Sequence, residues 1–175
     1  MKPRMALLTT IIFGAAALRL LPHAPNFDPI TALALFGGAQ IEDRRWAFVL
    51  PLAAMLLSDL LIGFHPLMPV IYLTFALVVW MGISLRRRLK PLPVAGAALG
   101  AATLFFVVSN FAEWTLGMLY PRTVEGLIAC YIAAIPFFGN TIGGALFYSA
   151  ALFGGLALAQ KRFPQIAPES RLAAR

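Results

Sequence analysis

The stretch LRLLPHAPNFDPITALALFGG, residues 18–38, gathers polar side chains inside an otherwise apolar chain. Within ten residues lie an arginine, a histidine, an asparagine and an aspartate: Arg19, His23, Asn26 and Asp28. Three prolines lie among and after them, and proline fixes its own backbone and restricts the residue before it. An apolar run follows at once. The stretch therefore predicts a stiff polar loop that leads into a membrane helix.

The composition of the whole chain is that of an integral membrane protein. Of its 175 residues, 61% are hydrophobic and 12% are charged, whereas soluble domains carry roughly 45–50% apolar and about 25% charged residues. The net charge of +7 comes from short basic clusters between apolar runs. That distribution follows membrane topology and argues against a nucleic-acid partner. A single cysteine excludes an intramolecular disulfide.

Six apolar segments are candidates for membrane helices. They are residues 5–21, 29–41, 46–64, 70–85, 93–116 and a segment within 127–159. A helix needs about 20 apolar residues to cross a bilayer, so the second segment is short. The last run is too long for one simple helix, and Pro136 predicts a break or kink between Ile135 and Asn140. The fold class expected is an all-α, polytopic membrane bundle of about six helices.

The two ends of the chain need separate interpretation. The start resembles a signal peptide, but its apolar run is longer than the usual core of such a peptide and no clear A-x-A cleavage site follows. We therefore interpret it as a retained first helix. Residues 1–163 are predicted to form a single transmembrane domain, and residues 164–175 a disordered cytoplasmic tail.

Lysine and arginine set the expected orientation. If the N-terminus is cytoplasmic and the chain crosses six times, twelve of these residues lie inside and only Arg19 and Arg122 lie outside. This bias follows the positive-inside rule. It predicts a multi-pass protein of the bacterial cytoplasmic (inner) membrane with both termini in the cytoplasm.

This topology collects polar residues on the outer side, at helix ends and in three loops. Charged groups in membrane helices cost about 2.5–3.5 kcal/mol each on insertion scales, so they face a cavity or a partner. We predict an outward-facing pocket for a small-molecule substrate. Its predicted lining residues are His23, Asn26, Asp28, Asp59, His65, Asn110, Glu113, Trp114, Tyr120 and Asn140.

Structural roles compete with ligand binding at several of these positions. Arg19 can extend to the membrane interface or pair with Asp28, and Asp28 stands where a helix cap would stand. Asp59 interrupts an apolar run and can pair with an arginine. His23 and His65 occur without the spacing of metal ligands, so no metal site is expected.

Small residues indicate close helix packing. Gly96 and Gly100 form a G-x-x-x-G pair, and so do Gly139 and Gly143. Such pairs let helices approach closely. The approach can lie inside the bundle or against a second membrane subunit. Cys130 is expected to be a small buried residue.

Four segments resemble a family of small, poorly characterised bacterial membrane proteins: LPHAPNFDPITALALFGGA (21–39), AMLLSDLLIGFHPLM (54–68), SNFAEW (109–114) and CYIAAIPFFGNTIGGALFYSAALFGG (130–155). In size, helix number and polar outer rim, that family resembles the S-components of energy-coupling factor (ECF) vitamin transporters. The resemblance implies an S-component-like bundle that captures a micronutrient. It also implies an ECF-type coupling subunit and two ATPases as partners. This chain has no phosphate loop, so ATP would be used by those partners and no cofactor is expected here.

The leading hypothesis is therefore a membrane-embedded, substrate-binding subunit for uptake of a small, vitamin-like micronutrient. A structural or assembly protein of the cell envelope, with no small-molecule substrate, is the main alternative. A proton- or ion-coupled carrier is a third. An enzyme is not expected: the nearest catalytic group is Ser58 and Asp59 with His65, and adjacent residues on a helix point apart.

Overall fold

The computed structural model describes residues 3–168, which form a bundle of six helices with no strand in that range. The helices are α1 (Pro3–Ala17), α2 (Ile30–Gln40), α3 (Arg44–Ile62), α4 (Met68–Leu85), α5 (Pro91–Leu116) and α6 (Val124–Arg162). Short 3-10 turns follow α1 (Leu18–Leu20) and α6 (Pro164–Ile166). All helices except α2 are long and apolar enough to cross a membrane. The predicted all-α, six-helix architecture is confirmed.

The shortest helix, α2, lies at the centre of the bundle. All eleven of its residues are buried, and it packs against α3, α4 and α6. A helix that is apolar on every side has no solvent-facing stripe and belongs in a core. At about 1.5 Å per residue, eleven residues extend only about 16 Å, roughly half of the bilayer's 30 Å hydrocarbon core. Therefore α2 alone does not span a membrane.

Two arginines bond the carbonyl groups at the C-terminal end of α2. The Arg86 guanidinium donates to three backbone oxygens, those of Gly38 (2.9 Å), Ile41 (2.5 Å) and Glu42 (3.0 Å). Arg4 donates to the backbone oxygen of Gln40 at 3.0 Å and to its side-chain oxygen at 3.1 Å. The last carbonyls of a helix have no partner within the helix, and a positive charge there is attracted to the negative end of the helix dipole. These arginines therefore allow α2 to end inside the protein.

A backbone-to-backbone contact joins α2 to α4. A Cβ atom on Gly38 would overlap the carbonyl oxygen of Val79, and one on Gly82 would overlap that of Leu35. The two helices therefore touch at a point where neither has a side chain. Such close approach is the packing that small residues permit between apolar helices.

The two G-x-x-x-G pairs do not make this kind of contact. A Cβ atom on Gly96 or Gly139 would meet no atom within 4 Å, apart from its own helix and chain neighbours. Gly100 and Gly143 face side chains rather than backbone, those of Met81 and Phe27. The prediction that these pairs bring helices together inside the bundle is wrong, because the close approach uses Gly38 and Gly82 instead. Cys130 is buried, as predicted.

The final helix, α6, is one continuous helix of 39 residues, so a break near Pro136 is ruled out, while a kink between Ile135 and Asn140 stays a prediction. Contacts with α5 hold the turns on both sides of the proline. The Tyr131 hydroxyl donates to the Val107 carbonyl at 2.7 Å, and the Phe106 and Phe138 ring centroids are 4.4 Å apart. A proline removes one backbone hydrogen bond, and packing against a neighbouring helix compensates for that loss.

Both ends of the described chain lie at the same end of the bundle. Arg4 donates to the carbonyl oxygen of Ile166 at 3.0 Å. We call this end, marked by Arg4, Gln40, Arg86 and Ile166, the Arg86 end. The predicted disordered tail thus begins with an ordered turn, and its residues 169–175 lie outside the described residues.

The contact between α2 and α4 makes a prediction about stability. We expect Gly38→Ala and Gly82→Ala each to lower the free energy of unfolding by about 1–3 kcal/mol, because the added methyl group overpacks a backbone contact. Thermal unfolding of the purified protein in detergent measures the effect. Gly96→Ala is the matched control and should not destabilise, since its Cβ would enter open space. Equal melting temperatures for all three variants would contradict this account of the packing.

Candidate functional site

Four polar side chains from three parts of the chain meet at the end opposite to Arg86. The Nη1 atom of Arg19 forms an ion pair with the Oδ1 atom of Asp59 and donates to the Ser58 hydroxyl at 2.9 Å. The Tyr72 hydroxyl donates to the other Asp59 oxygen, Oδ2, at 2.8 Å. We call these four residues the Arg19 cluster. They join the turn after α1, the last turns of α3 and the first turns of α4.

Burial explains why these groups are bonded to one another. Ser58 and Asp59 are 5% and 4% exposed. A carboxylate buried among helices is strongly unfavourable unless it is paired. Arg19 and Tyr72 together satisfy both oxygens of Asp59. Ser58 accepts from Arg19 and donates to the Met55 carbonyl at 2.7 Å, so its hydroxyl is also fully engaged.

The positive member of the cluster is the one that reaches the surface. The side chain of Arg19 is 21% exposed, against 5% for Asp59. Both hydrogen bonds of Arg19 leave from Nη1, and within residues 3–168 its Nε and Nη2 atoms bond to no protein group. The cluster therefore holds Nη1 through a serine and an aspartate and leaves the Nε and Nη2 donors without a protein partner in the described chain.

Asp28 lies beside the cluster, two residues before α2. Its Oδ1 atom accepts from the amide of Ile30, the first residue of α2, at 2.9 Å, although the N-cap residue is Pro29 and not Asp28 as predicted. The charges of Arg19, His23 and Asp59 all act on it. Burial raises the pKa of the Asp28 carboxyl above its usual value, although the Ile30 amide and Arg19 oppose the shift. Arg19 forms its ion pair with Asp59 and not with Asp28.

The loop before α2 is anchored to the middle of α6. The Asn140 amide donates to the carbonyl oxygen of Pro25 at 3.0 Å. A Cβ atom on Gly144 would lie 3.2 Å from the backbone of Phe27 and Asp28, so the loop backbone rests directly on the helix. Asn140, a predicted substrate-binding residue, is thus seen as an anchor for the loop.

An aromatic group and a strained residue shape the same loop. The Phe27 ring lies 5.8 Å from Phe147 and 5.7 Å from Tyr148, measured between centroids. Asn26 has a φ of 62°, a left-handed conformation that asparagine tolerates better than most residues. The loop turns sharply at Asn26 so that Phe27 packs on α6 and Asp28 reaches the start of α2.

The predicted site residues of α5 bond within their own part of the chain. Asn110 donates to the Phe106 carbonyl one turn away, at 2.7 Å. The Trp114 indole donates to the Pro121 carbonyl at 3.0 Å and ties the end of α5 to the next loop. In the described chain, no hydrogen bond or ion pair links Asn110, Glu113 or Trp114 to the Arg19 cluster.

The remaining predicted residues lie in loops. His23 and His65 are both exposed, and the Nδ1 atom of His23 is 2.6 Å from the Leu21 carbonyl oxygen. Tyr120 is half-buried. Of the ten predicted residues, the structure brings Asp28 and Asp59 together around Arg19 and places His23 close enough for its charge to act on Asp28. Whether they line a ligand pocket stays a prediction.

Tyr72 and Ser58 belong to the cluster although neither was among the predicted site residues. Tyr72 stands in an apolar helix, where a tyrosine is as readily an interface anchor as a hydrogen-bond donor. Ser58 was considered only as part of a catalytic group. A serine and a carboxylate that interrupt one apolar run indicate a partner on another helix, but not which helix supplies it.

A second feature lies at the Arg86 end. A cavity of about 840 Å³ opens between α1, α3 and the connection of α2 to α3. Its walls include Leu8, Trp46 and Leu50, with Arg4 and Glu42 among its polar groups. None of the ten predicted residues lines it. Its size is within the range of small-molecule sites, roughly 300–1,000 Å³.

The Ser58 hydroxyl in the Arg19 cluster is not arranged as a nucleophile. The Ser58 hydroxyl proton is committed to a backbone carbonyl, and a nucleophile needs an adjacent base. Between residues 3 and 168, no group of three or more His, Cys, Asp or Glu side chains is placed to hold a metal ion.

Comparison with known proteins supplies a family. Residues 1–166 match DUF6580, described as a family of unknown function. The chain belongs to the DUF6580 family. No curated protein and no solved structure matches the chain. Membership in DUF6580 confirms the resemblance to a poorly characterised family at that coarse level, and the resemblance to S-components stays a prediction.

For this DUF6580 chain, the ion pair makes a second stability prediction. We expect Arg19→Gln to lower the free energy of unfolding by about 3–5 kcal/mol, because it leaves the Asp59 carboxylate buried without its charge partner. The double replacement Arg19→Met with Asp59→Leu should recover most of that loss. Melting temperatures in detergent give the comparison.

Arg122→Gln is the matched control for this experiment, since Arg122 is exposed and makes no hydrogen bond within the described chain. Its melting temperature should equal that of the wild type. If Arg19→Gln had the same melting temperature as Arg122→Gln, the ion pair would not contribute to the stability of the protein.

Proposed function

We propose that this DUF6580 protein is a membrane-embedded, substrate-binding subunit for uptake of a small, vitamin-like micronutrient, comparable to an ECF S-component. The observation that carries the proposal is the Arg19 cluster. A buried aspartate holds an arginine whose side chain is partly exposed at one end of a membrane-type bundle. Ionisable groups among membrane helices are candidates for function by default.

The orientation proposed places this cluster on the outside. Basic residues are concentrated at the Arg86 end, at the start of α3, after α4 and at the end of α6. The positive-inside rule assigns that end to the cytoplasm. Both termini are then cytoplasmic in a bacterial inner membrane, and the Arg19 cluster opens outward, where a nutrient arrives.

The short α2 supports a site that lies below the membrane surface. The C-terminal end of α2 lies at the Arg86 end, where Arg4 bonds to both Gln40 and Ile166. From there α2 extends only about 16 Å towards the end of the bundle that holds the Arg19 cluster. The loop of residues 22–29 therefore descends into the bundle to meet it. Non-helical backbone at membrane depth is tolerated where it is buried in protein or lines a water-filled cavity. We propose that the loop meets this requirement by resting on α6 and by lining a water-filled approach to Arg19.

Energy for uptake is proposed to come from partner proteins. The sequence contains no G-x-x-x-x-G-K-[ST] phosphate loop, so the chain does not hydrolyse ATP by that route. An ECF-type coupling subunit with two ATPases would supply this step.

One observation favours the alternative of a structural or assembly protein. Both Asp59 oxygens are already bonded, which is also what a purely structural ion pair requires. The two functions differ in whether the folded protein retains a small molecule.

Retention of a small molecule tests the proposed function. We expect the purified protein in nanodiscs, incubated with a small-molecule extract of its expression host and washed, to retain one compound at close to one molecule per chain. Mass spectrometry after denaturation identifies and counts it. An empty nanodisc is the blank. If the folded protein retains nothing above the blank, the assembly function is the better explanation.

Labelling tests the proposed orientation. On a Cys130→Ala background, a cysteine at position 122 should react with a membrane-impermeant maleimide on intact cells. A cysteine at position 88 should react only after the cells are opened, because it lies in the basic cluster after α4. External reaction at position 88 would contradict the topology.

A further inference from the structure

We infer that the Arg19 cluster recognises a carboxylate group, so that the substrate is a small molecule with a single negatively charged carboxylate. The inference rests on the proposed binding function and names the chemical class that the site selects.

The first argument is the geometry of the guanidinium group. Nη1 is held by Asp59 and Ser58, which fixes the plane of the group. The opposite edge, formed by Nε and Nη2, carries two roughly parallel N–H donors. Arginine uses such an edge to bind carboxylates through two hydrogen bonds at once, and it is most effective when its orientation is fixed beforehand.

The second argument concerns which member of the ion pair contacts the ligand. Asp59 has no unused oxygen, since Arg19 and Tyr72 occupy one each, and its side chain is 5% exposed. A cationic ligand would have to reach oxygens that are already bonded and almost fully buried. Within the described chain, Arg19 has donors without a protein partner, on a side chain that is 21% exposed. Asp59 and Tyr72 therefore act as positioning residues for Arg19.

The third argument is the local charge. Arg19 and Asp59 cancel, and Asp28 is the next acidic group beside the cluster. Its burial favours the protonated form, and His23 lies near enough to influence it. A raised pKa at Asp28 weakens the repulsion that this group would exert on an anion. One arginine can neutralise the single charge of a carboxylate, but not the near-double charge of a phosphate monoester.

Chemical modification of the extract tests this inference. The probe is the same host extract in two forms, untreated and with its carboxylic acids converted to methyl esters. We expect the wild-type protein to retain a compound with a free carboxylate from the untreated extract. Retention from the esterified extract should fall by at least about tenfold, the loss expected when about 1.4 kcal/mol of interaction is removed.

Two variants accompany the probe. Arg19→Lys keeps the positive charge but lacks the planar two-donor edge, and it should reduce retention by a similar factor. Its melting temperature shows whether it is folded. Arg122→Gln, an exposed arginine away from the cluster, should retain the compound as the wild type does. The esterified extract tests the wild type, so it remains decisive even if Arg19→Lys unfolds.

The outcomes separate this inference from the proposed function. A retained compound without a carboxylate, such as a phosphate monoester or an amine, overturns the carboxylate assignment and leaves the binding function in place. Equal retention by the wild type from both extracts also overturns the carboxylate assignment alone. So does retention by folded Arg19→Lys that equals that of the wild type. Retention of nothing from either extract overturns the binding function and this inference together.

Discussion

The burial of α2 is the constraint on which the rest of the structure depends. A helix of eleven buried residues at the centre of the bundle has both ends inside the protein, where unpaired backbone groups are costly. Asp28 bonds an amide at its start, while Arg86 and Arg4 bond the carbonyls at its end. The contact between Gly38 and α4 brings the helix close enough for Arg86 to reach it. The close packing of α2 and the charged side chains at both of its ends together allow this short helix to be buried.

The same constraint explains why polar residues collect at the Arg19 end. Because α2 is short, residues 22–29 must enter the bundle to reach its first turn, and they rest on Gly144 of α6. A polar loop in that position needs partners or water. The ion pair of Arg19 and Asp59 lies beside this loop, and the arginine is its more exposed member. The gathering of polar groups at this end is thus a consequence of the fold.

Much of the architecture could be predicted from local sequence, since each apolar run signals its own helix and a polar interruption signals a partner. Pairing with an arginine was one of the two roles left open for Asp59, and the pair is present. What failed depended on neighbouring helices. A break or kink was expected at Pro136, but α6 does not break, and contacts with α5 hold the turns on both sides of the proline. The role of Arg86 in bonding α2, and that of Tyr72 in bonding Asp59, depend on which helices lie side by side, and no local pattern encodes that.

Water access beside the Arg19 cluster tests the central claim most directly. Spin labels at Asn26 and at Leu73, in nanodiscs, compare the loop with a lipid-facing position next to Tyr72, since the Leu73 side chain is 64% exposed on α4. Power saturation measures the collision of each label with oxygen, which favours lipid, and with a polar nickel complex, which favours water. The account predicts that the label at position 26 collides mainly with the nickel complex and the label at position 73 mainly with oxygen. A lipid-like response at position 26 would contradict it.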